Sequence, residues 1–264
     1  MNIFFRELRA NFKSLLIWSF IVILFNYVGF SKFSAYYNNP SMLAILDALP
    51  PAMLEAFSFS AFNLTTVTGF FAMMITYFAL ILGIAGVMWG SDIISKEERN
   101  KTVEFSLTLP VTRSKLITAK TLVVVVNSII LTLITWGITI VSSKQYSPDS
   151  EFYKFVALGV LTFFIQQMIF VAIGVFLGCA VKHHKLAGSL AISTILATYF
   201  FSVLAGLDKS MEFLKYFSPF KYFDPALLLH ESRLELPYVW LSLGIIVVAL
   251  AGAYFTYSRR DLYI

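Results

Sequence analysis

The chain has 264 residues, of which 58% are hydrophobic, 17% aromatic and only 13% charged. This composition is typical of a polytopic membrane protein and excludes an ordinary soluble enzyme. The net charge of +5 does not indicate nucleic-acid binding, because an uneven distribution of Lys and Arg across a bilayer accounts for it. A single cysteine, Cys179, excludes an intrachain disulfide or a thiolate metal site.

Residues 1–14 predict an amphipathic helix that lies in the membrane interface. Phe5, Leu8 and Phe12 share one helical face, and cationic side chains occupy an adjoining face. Such a helix buries its apolar face and directs its cations toward lipid phosphates. The alternative is a simple positively charged flank to the first membrane span.

Six apolar runs without charge are long enough to cross a bilayer, which takes about 20 helical residues for about 30 Å of hydrocarbon. We therefore predict an all-α polytopic fold with six transmembrane helices in a single domain, 1–264. The predicted spans are 14–31, 69–90, 121–143, 155–181, 186–207 and 236–258.

Small residues at helical spacing in the second and fourth spans predict faces where helices approach one another closely. They are Ala79, Gly83, Gly86 and Gly90 in the second span, and Gly174 and Gly178 in the fourth.

Residues 92–120 form the one long charged interruption in the apolar sequence, with ten charged side chains. Ser95 and Glu98 have the spacing of a capping box, which predicts that a short amphipathic helix begins here. Pro110 ends that helix, and Thr112 is suited to cap the next one. We expect this helix to lie at the membrane surface, where it can dock on a partner in water.

Lys and Arg are distributed unequally between alternate loops. The set that includes both termini, 92–120 and 182–185 holds 13 of the 20 cations. The positive-inside rule therefore predicts that both termini and the 92–120 loop are cytoplasmic.

The segment before the last span, 208–235, is rich in aromatic residues and predicts an outer, re-entrant helical hairpin. Ser218-Pro219 and Asp224-Pro225 each match an N-cap followed by proline at the first helical position. An aromatic belt that only anchors the last span is the alternative. The candidates for an outer gate are Phe217, Phe220, Tyr222 and Phe223.

The predicted spans contain no Asp, Glu, Lys, Arg or His, whereas an ion-coupled carrier usually keeps such a side chain near the middle of the bilayer. Their amides and hydroxyls are candidates for a transport path, although hydrogen bonding between helices is the alternative role of each. The path candidates are Asn26, Tyr77, Asn127, Gln166, Gln167, Thr194 and Tyr199.

No nucleotide-binding G-x-x-x-x-G-K-[ST] and no H-E-x-x-H or G-x-S-x-G motif occurs in the sequence. The chain therefore lacks an energy source of its own, and we expect neither enzymatic activity nor a bound cofactor. His183 and His184 lie between two lysines and indicate a lipid-facing cationic turn, not a metal site.

The stretch NKTVEFSLTLPVTRSKLITAK resembles the coupling-helix region of the membrane subunits of ABC-2-type (type V) ATP-binding-cassette transporters. Members of this family have a threonine and a glutamate before a leucine-rich turn, then Pro-x-x-Arg and a lysine that opens the third span. Lys101 stands where many members have glycine. The resemblance covers nearly the whole chain, and its matching positions here are Thr102, Glu104, Leu107, Pro110, Arg113 and Lys120.

This resemblance implies a permease that pairs with a second copy or a homologue, in a bacterial or archaeal plasma membrane. A separate cytoplasmic ATPase subunit would bind ATP and Mg²⁺, and spans two and five would border the path. Aromatic outer helices and an uncharged path favour export of a hydrophobic or amphipathic cargo. The residues implied in docking on the ATPase are Glu98, Thr102, Val103, Glu104, Phe105, Leu107, Pro110 and Arg113.

Two other classes of protein remain as alternatives. The Glu97-Glu98 pair is similar to the glutamate motif of CAAX-type membrane proteases, but the predicted spans lack the intramembrane histidines of that family. An ATP-independent carrier or scaffold is disfavoured by the missing mid-bilayer charge and by the absence of an internal repeat.

Overall fold

Helices account for the regular structure throughout the part of the chain that the computed structural model describes, which is residues 3–39, 41, 48, 50, 62–100, 112–207, 209–231 and 233–259. Six of these helices are long and apolar enough to cross a membrane, which confirms the predicted all-α, six-span class. The helices are α1 (Ile3–Phe33), α2 (Val67–Arg99), α3 (Arg113–Ser143), α4 (Ser150–Ala180), α5 (His184–Leu207), α6 (Pro225–Glu231) and α7 (Leu236–Arg259).

Helices α2 and α4 form the centre of the bundle, and glycines allow their backbones to touch. A Cβ atom placed on Gly174 would lie 2.4 Å from the carbonyl oxygen of Val87, and one on Gly90 would lie 2.5 Å from that of Val171. Only glycine fits at such distances, because any larger side chain would force the helices apart. The predicted close approach at the small residues of the second and fourth spans is thus confirmed.

Helix α1 runs without a break from Ile3 to Phe33, so residues 3–14 are helical and continue directly into the first span. Their position in the membrane interface stays a prediction. Its buried face recurs every three or four residues and continues from Glu7 through Leu15 to Phe33. The first turns pack on the bundle as well, since Trp89 Nε1 donates a hydrogen bond to Ser14 Oγ at 2.8 Å. These contacts hold the segment in line with the span that follows.

The predicted helix start at Ser95 is wrong, because α2 continues past it to Arg99. Ser95 Oγ donates back to the carbonyl oxygen of Ser91 at 2.8 Å and caps nothing. The cap at Thr112 is confirmed, since its hydroxyl accepts from the backbone N–H of Lys115 at 3.3 Å.

Short helical pieces occupy the segment between α5 and α7. Two of them are 3₁₀ helices, Lys209–Phe217 and Pro219–Lys221, and the third is α6. Asp224 caps α6 as predicted, because its Oδ1 accepts from the backbone N–H of Ala226 at 2.8 Å. Ser218 does not cap its helix: its hydroxyl donates to the carbonyl oxygen of Thr198 at 2.7 Å and ties the segment to α5. Re-entry of this hairpin into the membrane stays a prediction.

Helices α5 and α7 lie at the periphery of the bundle. Only 17% and 11% of their apolar windows are buried inside the chain, against 67% for α2. Apart from Lys185 and Arg259 near their ends, the large side chains that they expose are mostly apolar, which requires lipid or another apolar surface around them. On α5 these are Leu186, Leu190, Ile192, Leu196, Phe200, Leu204 and Leu207.

Candidate functional site

Charged side chains from three helices meet at the end of the bundle that carries the N-terminus, and we call Glu7, Lys96, Glu97 and Lys120 the charge cluster. Glu7 belongs to α1, Lys96 and Glu97 to the last turns of α2, and Lys120 to the second turn of α3. The exposed fractions of Glu7, Glu97 and Lys120 are only 4%, 6% and 1%. These charges are therefore held inside the protein, although they lie outside the central apolar segments.

Ion pairs connect the members of the charge cluster across helix boundaries. Lys96 pairs with Glu7, and Lys120 Nζ lies 2.9 Å from Glu97 Oε1. Lys120 also donates to the carbonyl oxygen of Ile93 at 3.0 Å, and Arg6 lies 3.1 Å from Glu7 Oε1. Each buried charge therefore has an opposite charge beside it.

A buried ion must be paired to be tolerated, because removing it from water costs several kcal/mol. Separation of α1, α2 and α3 at this end would leave such ions unpaired. The charge cluster therefore fixes the relative positions of these three helices more strongly than exposed ion pairs would. In particular, it joins the last turn of α2 to the beginning of α3, on either side of residues 101–111.

Arg113 connects the beginning of α3 to the end of α7. One of its guanidinium nitrogens donates to the carbonyl oxygen of Tyr257 at 3.1 Å and lies 3.4 Å from that of Ser258. The carbonyl groups at the end of a helix lack partners within the helix, and a guanidinium supplies one. Arg113, which the sequence indicated as a docking residue, thus makes contacts within the chain.

Most of the predicted docking residues lie outside the described residues. These are Thr102, Val103, Glu104, Phe105, Leu107 and Pro110, and the coupling helix itself stays a prediction. Glu98 is described, is partly buried and lies on the last turns of α2.

Sequence reasoning found Lys120 but missed its partners. No sequence pattern distinguishes Glu7 within its cationic segment, and Glu97 stands out only because the Glu97-Glu98 pair is similar to a protease motif. Glu97 and Lys120 are 23 positions apart on different helices, so no local spacing indicates that they pair. That both residues lie within the charged 92–120 segment is the signal that the sequence contains.

Hydroxyl and amide groups line the interior of the bundle between α1, α3 and α4. Asn26 donates through Nδ2 to Thr139 Oγ1 at 2.9 Å, and Thr132 donates to Gln167 Oε1 at 3.1 Å. Asn127 is also buried, with an exposed fraction of 1%. The Asn26–Thr139 and Thr132–Gln167 bonds connect helices within one chain, which is the alternative role of these groups. Asn127 makes no such connection, because both polar atoms of its side chain are buried without a hydrogen-bond partner among the described residues.

The aromatic residues before α7 form a packed layer against α4, α5 and α7. Phe220 lies against Tyr199 and Phe170, with ring centroids 5.5 and 5.4 Å away. Tyr222 is fully buried, stacks on Tyr238 at 5.4 Å and donates to the carbonyl oxygen of Tyr216 at 2.6 Å. Burial, with a smaller contribution from Tyr238, raises the pKa of Tyr222 to about 12.

Replacement of Tyr222 by phenylalanine is expected to cost about 1 kcal/mol of stability through loss of one hydrogen bond. The raised pKa also stabilises the neutral phenol of the folded state. This stabilisation is complete below the unfolded pKa of about 10 and is lost as the pH rises toward about 12. Thermal unfolding at about pH 8 and about pH 11 measures both effects. Tyr27→Phe, on an exposed ring, is the control, and an equal loss in both variants would contradict the prediction.

Comparison with known protein families gives a match over residues 1–262 to the ABC-2 family transporter proteins. The match spans nearly the whole chain. The protein belongs to the ABC-2 transporter family. Among curated proteins no relative matches. This membership confirms the family resemblance seen in the 92–120 region. It identifies the protein as a multi-pass membrane protein of a transporter family.

In an ABC-2 transporter protein, polar residues within the spans are candidates for contact with cargo. The structure separates these residues into two groups by burial. Asn26, Asn127, Gln166 and Gln167 are buried inside the single bundle. Tyr77, Thr194 and Tyr199 are only partly buried and lie on α2 and α5. The second group is the one that a neighbouring subunit or a cargo can reach without rearrangement of this ABC-2 protein. A role in transport stays a prediction for both groups.

Proposed function

We propose that this ABC-2 protein is the permease subunit of an ATP-driven exporter and works with a separate cytoplasmic ATPase. The observation that carries the proposal is the charge cluster, which clamps α1, α2 and α3 together on both sides of residues 101–111. A segment held at both ends in this way can pass a displacement on to the helices. Family membership supplies the context, since ABC-2 membrane proteins work with ATPase partners.

The length of α2 supports transmission of movement across the membrane. Its 33 residues make a rod of about 50 Å, at a rise of about 1.5 Å per residue. The rod ends at Arg99, directly before residues 101–111, and the partly buried Tyr77 lies 22 residues, or about 33 Å, away along the same helix. A tilt imposed at one end therefore moves the other end, because an unbroken helix does not absorb it.

The charge distribution supports the proposed orientation of the chain in the membrane, and exposed apolar faces support its pairing with a second membrane subunit. The surplus of Lys and Arg supports a cytoplasmic position for both termini and the 101–111 segment, where an ATPase could reach them. The exposed apolar faces of α1 and α5 are available to lipid and to a second membrane subunit. A bacterial or archaeal plasma membrane is the proposed location, and the cargo is hydrophobic or amphipathic.

Affinity purification from the native host in mild detergent tests the proposal. We expect an ABC ATPase subunit to co-purify and to hydrolyse ATP. Recovery of the chain alone, with no nucleotide-dependent activity, would contradict the proposal and favour the enzyme or scaffold alternatives.

Charge reversal at Glu104 tests the docking segment. Glu104→Arg is expected to reduce transport by about tenfold or more, because a like charge set against the partner costs several kcal/mol. ATP hydrolysis by the complex should continue without driving transport. The melting temperature of the permease should not change. Glu151→Arg, an exposed reversal at the other end of the bundle, is the control. Normal transport by Glu104→Arg would exclude the docking role.

A further inference from the structure

A cavity of about 260 Å³ lies between α1 and α2, near the ends of these helices that are remote from the charge cluster. Phe25 of α1 and Met73, Met74 and Tyr77 of α2 contribute to its walls. Gly29 makes room for the thioether of Met74, since a Cβ there would lie 2.6 Å from Met74 Cε. Flexible methionines adapt to varied apolar ligands, so this wall suits a hydrocarbon chain.

One cation lines the cavity. Lys32 lies in the last turn of α1 with an exposed side chain, and Tyr36 lines the cavity one turn further on. Among the described residues no carboxylate forms an ion pair with Lys32. Its ammonium group lies at the mouth of an apolar cavity, where a cation favours an anionic ligand head.

Two other grooves on the bundle differ in this respect. The groove between α4 and α7, of about 710 Å³, and the one between α3 and α4, of about 410 Å³, are lined without any charged side chain. They suit the acyl chains of surrounding lipid. Of these three cavities, the one between α1 and α2 alone combines an apolar wall with a cation.

We infer that this cavity binds a single-chain anionic amphiphile, a long-chain carboxylate being the simplest example, as the cargo of the exporter. The chain occupies the space beside Met73 and Met74, and the anionic head pairs with Lys32. The volume lies just below the range of about 300–1,000 Å³ common for ligand sites, which accommodates part of one chain and no bulky ring system. The identification as cargo rests on the proposed function, whereas the binding site does not.

Photolabelling of the full chain in lipid nanodiscs tests the site. The probe is palmitic acid with a photoreactive diazirine, compared with the matching alcohol and amine, and labelled peptides are located by mass spectrometry. We expect the acid to label α1 and α2 in preference to the other two probes. Lys32→Glu should reduce labelling by about three- to fivefold, as expected for loss of an exposed ion pair.

Matched control variants show whether a loss of labelling is specific to this cavity or results from a change in net charge or side-chain size elsewhere. Lys144→Glu changes the net charge equally at an exposed position on the same side of the bundle and should leave labelling unchanged. Met73→Trp should fill the cavity and abolish labelling, whereas Val160→Trp, in the groove between α3 and α4, should not. Equal labelling by acid and alcohol, or an equal loss in Lys32→Glu and Lys144→Glu, would overturn the inference.

ATP hydrolysis by the co-purified complex then distinguishes a cargo from a resident lipid. Palmitate should stimulate hydrolysis with the wild-type permease and not with Met73→Trp. Specific labelling without stimulation would mean a resident lipid and would overturn the cargo inference, while co-purification still supports the permease. If no ATPase co-purifies, the proposed function fails, and the labelling pattern alone decides the binding site.

Discussion

Replacement of Lys120 by methionine is expected to destabilise the protein by about 3–5 kcal/mol, the usual cost of removing one partner from a buried ion pair. Lys120 has an exposed fraction of 1% and lies 2.9 Å from Glu97 Oε1. Without it, Glu97 Oε1 loses the cation 2.9 Å away and retains Arg6 at 3.8 Å, and the carbonyl oxygen of Ile93 loses the Lys120 donor. Thermal unfolding in detergent measures the loss of stability. In a chain of this size the melting temperature falls by about 2–4 °C for each kcal/mol lost.

A second variant shows whether the lost ion pair is the cause. Glu97→Leu combined with Lys120→Met should recover most of the stability, because an apolar pair replaces a buried ion pair at little cost. Lys115→Met, which removes an exposed cation from the same helix, should change the melting temperature little. Equal losses in Lys115→Met and Lys120→Met would show that net charge, and not the charge cluster, stabilises this end.

In the proposed complex with an ATPase, loss of the charge cluster is also expected to weaken the coupling of ATP hydrolysis to transport. Lys120→Met frees the beginning of α3 from the end of α2, so a displacement of residues 101–111 no longer moves both helices together. We expect transport per ATP hydrolysed to fall in this variant below that of a permease destabilised elsewhere to the same extent.

Replacement of Gly174 by alanine is expected to cost about 1–3 kcal/mol, the usual penalty of overpacking. The added Cβ would lie 2.4 Å from the carbonyl oxygen of Val87 and 3.0 Å from the backbone nitrogen of Ser91. Backbone atoms of a helix cannot rotate away as a side chain can, so α2 and α4 would have to separate. A lower melting temperature and a smaller yield of folded protein would report this separation.

Gly137 offers a matched control in α3. A Cβ there meets nothing within 4 Å among the described residues. Gly137→Ala should therefore stabilise the protein by about 0.5–1 kcal/mol, since alanine loses less conformational entropy in a helix. Stabilisation by both substitutions would refute the close contact of α2 with α4.

Local sequence was sufficient to predict those structural features whose physical cause lies in neighbouring residues. Spans follow from the length of apolar runs, and the caps at Thr112 and Asp224 follow from a side chain that reaches its own backbone. Close packing faces were predictable as well, because only small residues let helices touch. Which glycine faces which helix was not predictable, since Gly90 and Gly174 are 84 positions apart.

The sequence by itself determined a six-span, all-helical membrane protein of the ABC-2 family. Hydropathy, the spacing of small residues and the motif in the 92–120 region can each be recognised in a short stretch of sequence. Only the tertiary structure decided the rest. It showed that Ser95 lies inside a helix, since a capping signal works only where a helix begins. It brought Glu7 and Glu97 to Lys96 and Lys120, because burial of charge selects partners by position in space and not by spacing along the chain.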